Sequence, residues 1–248
     1  MQGTCGHGES PGARAGGTGP CGGSPRVTEI IGRFADFAGI SPDVLERAAT
    51  RGTLVHALAA ITLREKRGGM PPLGWRAALT AFMAESGAGD AAGRPGAEGW
   101  ETLCYAERVA AGDPEECPLV DGFMRSLHRW LGLVERVETV EERFWHGTYG
   151  YTGQIDAVVR YRGDPSPVLV DFKTPASPSP YWRPQVAAYV MLCEDAGLEV
   201  GRAGTLQLRR TGAAPAFRDY SATHRRDRAG FLTALEAYRY FTDLKGER

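Results

Sequence analysis

The apolar run Val168-Leu169-Val170 follows the turn signal Gly163-Asp164-Pro165 and ends in the tripeptide Asp171-Phe172-Lys173. A short apolar run bounded by turn residues predicts a strand over 168–173. Side chains alternate across a strand, so Leu169, Asp171 and Lys173 are expected on one face and Val168, Val170 and Phe172 on the other. Upstream, Tyr149 to Tyr161 alternates in the same way. That pattern puts Ile155, Ala157, Val159 and Tyr161 on one face, turns Asp156 to the opposite one, and makes the two strands a hairpin. Val134 to Phe144 reads as extended, and Thr205 to Arg209 and Ala216 to Tyr220 read as further strands.

Between and around these strands the period changes to that of helices. Ser41-Pro42 reads as a helix start, serine as N-cap and proline at the first helical position. Val44, Leu45, Ala48, Val55, Leu58 and Ala59 continue the helix and place His56 on its buried side. Helices are also predicted from about Trp75 to Glu85, from Leu119 to Leu133, from Tyr181 to Glu194, and from about Asp227 to Leu244 with Phe231, Leu235 and Tyr238 as the core stripe. The order helices, hairpin, helix, strands, helix predicts an α/β fold.

Residues 1 to 25 carry nine glycines and almost no large apolar side chain, so they are expected to form a flexible tail. Residues 26–248 then form one domain, with 68–118 as a helical insertion interrupted by a loop rich in Gly, Ala and Asp around 86–99. A chain of 248 residues with 42% hydrophobic residues is long and apolar enough to bury a sizeable core. The net charge of -1 excludes a globally basic coat for nucleic acid, so any phosphate partner must be met by a local groove. The five cysteines include no C-x-x-C pair, which argues against a disulfide framework or a zinc ribbon and for a reducing cytoplasm. Cys5 and His7 in the glycine-rich tail read as incidental. No apolar run is long enough to span a bilayer, and the N-terminus lacks a signal-peptide layout, so no membrane partner is expected.

Phosphodiester cleavage requires a nucleophilic water, neutralisation of charge building on phosphorus, and a proton for the leaving oxygen. Divalent cations supply much of this. Asp156 and Asp171 are the candidate carboxylate ligands, the Phe172 carbonyl is a further oxygen donor, and Lys173 is placed to orient or help deprotonate the water. Gln185 and Tyr189, four residues apart on the following helix, share a face on which both can meet substrate phosphate. Arg183, Arg209-Arg210 and Arg225-Arg226 are candidates for a groove along the nucleic-acid backbone. Taken singly, each has a plainer reading: Asp156 as an edge charge, Lys173 as a surface lysine, Trp182 as a buried anchor, His56 as a satisfied core histidine.

Their joint order changes that balance. Gly52-Thr53-Leu54-Val55-His56, Gly153-Gln154-Ile155-Asp156, Asp171-Phe172-Lys173-Thr174 and Gln185-Val186-Ala187-Ala188-Tyr189 resemble the ordered motifs of the PD-(D/E)XK nuclease superfamily, above all its RecB-like and phage exonuclease branch. The resemblance runs from about Val27 to the closing helix. It implies a restriction-endonuclease-like core with a mixed central β-sheet flanked by helices, dependence on Mg²⁺ or Mn²⁺, and hydrolysis of DNA. It further implies that His56, Asp156 and Asp171 bind metal, that Lys173 is catalytic, that Gln185 and Tyr189 position substrate, and that Glu141 is an acidic site residue. One branch carries an iron-sulfur cluster held by one cysteine near the motif histidine and three near the C-terminus. Only Cys193 lies beyond Tyr189, so no cluster is expected. The implied role is an exonuclease of phage recombination or DNA repair, working beside a recombinase or a single-strand-binding protein, with ring-like homo-oligomers among its relatives. An endonuclease on the same core and a non-catalytic nucleic-acid-binding module are the alternatives.

Overall fold

The computed structural model describes residues 23–35, 39–87 and 97–246. The expected tail, with Cys5, His7 and Cys21, lies outside the described residues apart from 23–25, as does most of the expected loop around 86–99.

A five-stranded sheet in the order β1-β2-β3-β4-β5 forms the middle layer. Strands β1 (Val134–Trp145), β2 (Thr152–Tyr161) and β3 (Asp164–Lys173) form an antiparallel meander. The β2–β3 turn is Arg162-Gly163, with Gly163 at φ 75°, a conformation glycine adopts without steric cost. Strand β4 (Arg202–Gln207) runs parallel to β3, and β5 (Ala216–Asp219) antiparallel to β4. The parallel step requires a crossover, which α6 (Trp182–Asp195) supplies. The sheet is therefore mixed.

One face of the sheet is covered by α2 (Pro42–Arg67), α3 (Trp75–Gly87), α4 (Ala97–Ala110) and α5 (Glu116–Leu131). Leu54, Leu58, Leu63, Met124 and Leu127 meet Val159, Val168, Val170 and Phe172 there. The other face is covered by α1 (Val27–Gly32), α6 and α7 (His224–Gly246), where Ile30, Met191, Phe231 and Leu235 meet Ile155, Val158 and Leu169. Leu169 lies in the second core and its neighbours Val168 and Val170 in the first, as strict alternation requires.

Strand β2 departs from that rule. Ile155 was expected on the face of Ala157 and Val159, yet it packs with Val158 in the second core. Across the ladder, Val140 lies in the first core and Phe144 in the second, although even spacing would keep them together. Both switches fall where Glu141 stands opposite Asp156, and Glu141 adopts φ 50°. A left-handed residue reverses the pleat locally, so the faces exchange on either side of it.

Helix α2 begins as expected, with Ser41 as N-cap and Pro42 in the first turn, although the serine side chain makes no capping bond. A buried network ties α2 to the helices beside it. Glu116, 5% exposed, accepts from the Arg51 guanidinium at 2.8 Å and from the Tyr105 hydroxyl at 2.6 Å. No helix among the described residues is long and apolar enough to cross a membrane.

Candidate metal centre

The β2–β3 ladder stops at the pair Ala157 and Val170. Beyond it the strands part, and a side chain takes the place of the backbone: Asp156 Oδ2 accepts from the Phe172 N–H at 2.6 Å. An N–H and C=O of one strand residue point to the same side, so the Phe172 carbonyl also faces the gap. Asp156 Oδ1 lies 3.3 Å from His56 Nδ1, brought in by α2. The left-handed turn of β1 carries Glu141 toward the same point. His56, Glu141 and Asp156 each offer a ligand atom, all within 4.8 Å of one another.

Asp171 belongs to a neighbouring group. Its Oδ2 lies 2.7 Å from Lys173 Nζ, and Lys173 donates to Gln185 Oε1 at 3.0 Å, whose amide donates in turn to the Tyr189 hydroxyl at 3.0 Å. The carboxylate of Asp171 is only 2% exposed, and Lys173 is the cation that offsets its charge. Sequence reasoning grouped His56, Asp156 and Asp171. The tightest set in the structure instead contains Glu141, and Asp171 stands beside it with the lysine.

Burial and crowding set the protonation of these groups. Burial pushes Glu141 up to about 7, with the negative charge of Asp156 acting the same way. Burial likewise raises Asp171 to about 6, against the pull of Lys173 and with the repulsion of Asp156. Burial also opposes the charge on Asp156, but His56 and then Lys173 outweigh it and hold that carboxyl below its ordinary value. His56 answers in kind: burial lowers it, and the charge and hydrogen bond of Asp156 raise it by more. Carboxylates at this density repel one another unless a cation joins them. An imidazole nitrogen, the oxygens of three buried or half-buried carboxylates and a backbone carbonyl at the end of the ladder form a donor set that fits a hard or borderline divalent cation.

The cluster opens into a cleft of about 1260 Å³. Its lining includes Gly52, His56 and Arg64 of α2, Glu141, Gln154, Asp156, Asp171, Lys173, Thr174, Gln185, Tyr189 and Arg210. Gln154 and Arg64 are among the lining residues not singled out from sequence as site residues. Gln154 donates to Glu141 Oε2 at 2.5 Å, and its spacing of two from Asp156 along β2, which puts both on one face, is the signal that could have found it. Arg64 continues the i+4 row His56, Ala60, Arg64 on α2, a spacing the sequence does display.

Arg183 does not join the cluster. Its guanidinium is held by Asp227 of α7 at 2.9 Å, and it lies outside the cleft lining. Arg209, Arg225 and Arg226 are outside that lining too, and Trp182 is buried.

A cation-ready cluster where the strands of a mixed α/β sheet part, with a lysine two residues from one carboxylate, defines a class of metal-assisted hydrolase sites. The family model of the PD-(D/E)XK nuclease superfamily matches residues 33–241. The chain belongs to this superfamily. No match is found among curated proteins.

Proposed function

We propose that this chain is a Mg²⁺- or Mn²⁺-dependent deoxyribonuclease, an exonuclease serving phage recombination or DNA repair. The observation that carries the reading is the convergence of His56, Glu141 and Asp156 on one point, with Asp171 and Lys173 beside it, in a cleft of about 1260 Å³. His56, Asp156, Asp171 and the Phe172 carbonyl, joined by Glu141, would hold the cation. When bound, it supplies positive charge to the scissile phosphate and to the attacking water. Lys173 orients that water and offsets negative charge on the phosphate oxygens. Gln185 holds the ammonium in place from α6 and shares its amide with Tyr189, so these two residues position Lys173 as well as the substrate strand. The exonuclease assignment rests on the resemblance of the motifs to the RecB-like and phage exonuclease branch, since the motifs themselves specify hydrolysis and not the route of entry.

The test is nucleotide release from linear and from covalently closed circular DNA, with Mg²⁺, Mn²⁺ or EDTA. The wild type is expected to degrade linear DNA with either cation and neither substrate in EDTA, and Lys173→Ala and Asp171→Ala to be inactive while folded. Cutting of circular DNA would replace the exonuclease reading with the endonuclease one. Activity equal in the wild type and both variants, or absent from all three, would end the catalytic assignment and leave a binding module.

A further inference from the structure

Two arginines in the cleft take no part in the site described above. Arg64 and Arg210 both line it, both are exposed, and neither side chain has a hydrogen bond or ion pair among the described residues. Arg51, which also lines the cleft, is by contrast held by Glu116. An unpaired guanidinium facing a cleft keeps its full charge and its planar set of donors, and that geometry suits a phosphate diester.

Their placement is opposed. Arg64 lies two turns beyond His56 on α2, close enough to Glu141 of β1 for its charge to favour the ionised carboxylate. Arg210 follows the end of β4, whose last residue Gln207 pairs with Lys173 and whose successor Leu208 donates to the Lys173 carbonyl at 2.8 Å. Helix α5 fixes this second position: Gly122 lies so close to Arg210 that a Cβ there would stand 1.8 Å from its carbonyl oxygen. Arg64 therefore approaches the ligand cluster from the side of Glu141, and Arg210 lies past the end of β4, on the side of Lys173.

We propose that Arg64 and Arg210 are phosphate-binding residues that bracket the scissile linkage, each holding a backbone phosphate on its own side of the metal centre. The proposal deepens the nuclease reading and rests on it for the identity of the strand. Because the contacts are to phosphate, they set affinity and register and carry no base preference.

The experiment measures binding, so it does not depend on turnover. Fluorescence anisotropy of a labelled single-stranded 16-mer with the full-length protein in Ca²⁺ gives Kd across a salt series for the wild type, Arg64→Gln, Arg210→Gln, the double variant and Arg162→Gln. The last removes an exposed arginine of the β2–β3 turn, outside the cleft. Each cleft substitution is expected to weaken binding and to flatten the plot of log Kd against log salt by about 0.7, the double variant by about twice that, and Arg162→Gln not at all. Single methylphosphonate linkages walked along the 16-mer should then cancel the Arg64 defect at one linkage and the Arg210 defect at a different one. Unchanged slopes, an equal effect of Arg162→Gln, or cancellation of both defects at one linkage would overturn the bracket. A wild type that shows this pattern yet releases no nucleotides with Mg²⁺ or Mn²⁺ would refute hydrolysis and leave the bracket standing. Nucleotide release without the pattern would do the reverse.

Discussion

Glu141 concentrates two costs in one residue, and glycine substitution separates them. Its φ of 50° lies in the left-handed region, which costs a residue with a Cβ about 1–2 kcal/mol. Its carboxyl is also raised to about 7 by burial and by Asp156. Glu141→Ala removes the carboxyl and keeps the backbone strain. Glu141→Gly removes both, against about 0.5–1 kcal/mol for the extra freedom of an unfolded glycine. The glycine variant should therefore be the more stable of the two by about 1 kcal/mol, or about 2–4 °C in thermal midpoint for a chain of this size. At Glu142, exposed and without a positive φ, the order should reverse, alanine exceeding glycine by about 0.5–1 kcal/mol. The assay is thermal or urea unfolding of the four variants in EDTA at pH 7. If glycine is the worse residue at both positions, the left-handed turn does not exist in solution and the face exchange built on it fails. Both substitutions at 141 remove the carboxylate and should weaken cation binding alike, leaving both variants less active than the wild type.

Three further outcomes are expected. Gly122→Ala should destabilise the fold by about 3 kcal/mol, since a methyl 1.8 Å from the Arg210 carbonyl oxygen forces α5 away from that turn; a denaturation midpoint within error of wild type would contradict the packing. Glu116→Gln should cost about 2 kcal/mol at pH 7. Burial raises the Glu116 carboxyl, but hydrogen bonds from Tyr105 and Arg51 lower it by more, so its folded value lies below 4.5; the stabilisation is present above 4.5 and is lost as pH falls through the folded value, and the variant and wild type should converge in acid. Mn²⁺ at a hundred times its dissociation constant should stabilise the wild type by about 2.7 kcal/mol, read as a rise in thermal midpoint, with most of the rise absent from His56→Ala and Asp156→Asn.

The elements were legible where local pattern and tertiary burial agree. The run Val168 to Val170 is apolar because both faces of β3 are covered, and the stripe Phe231, Leu235, Tyr238 marks the side of α7 that meets Tyr151 and Ile155. Strand β4 was expected from Thr205 and begins at Arg202, because parallel pairing with Val168 to Val170 extends it through residues with little strand preference of their own. Gly204 is tolerated there because a Cβ would stand 2.1 Å from the Arg218 carbonyl oxygen. In the site, Asp171 and Lys173 were readable from alternation alone. The grouping of Glu141 with Asp156 was not, since alternation presumes a regular strand and the exchange of faces depends on one backbone angle. The ion pair of Arg183 was hidden for a similar reason: its partner Asp227 lies 44 residues away, and nothing near Arg183 in the chain announces it.

The departures from local rules gather at one place. The β2–β3 ladder ends, Glu141 turns left-handed, the faces of β1 and β2 exchange, and Asp156 and Asp171 are buried within the same few residues. Each is unfavourable by itself, and a fold keeps such features only where its surroundings over-determine them. Here the surroundings are two complete cores, one on each face of the sheet, neither of which needs these residues for packing. Parting the strands frees the Phe172 N–H for Asp156 and turns the Phe172 carbonyl to the gap. The left-handed turn swings Glu141 in from a strand that regular alternation would have kept away. Removing the irregularities would thus give a more stable sheet with its carboxylates on separate faces, which is why stability and cation binding are expected to move in opposite directions at Glu141.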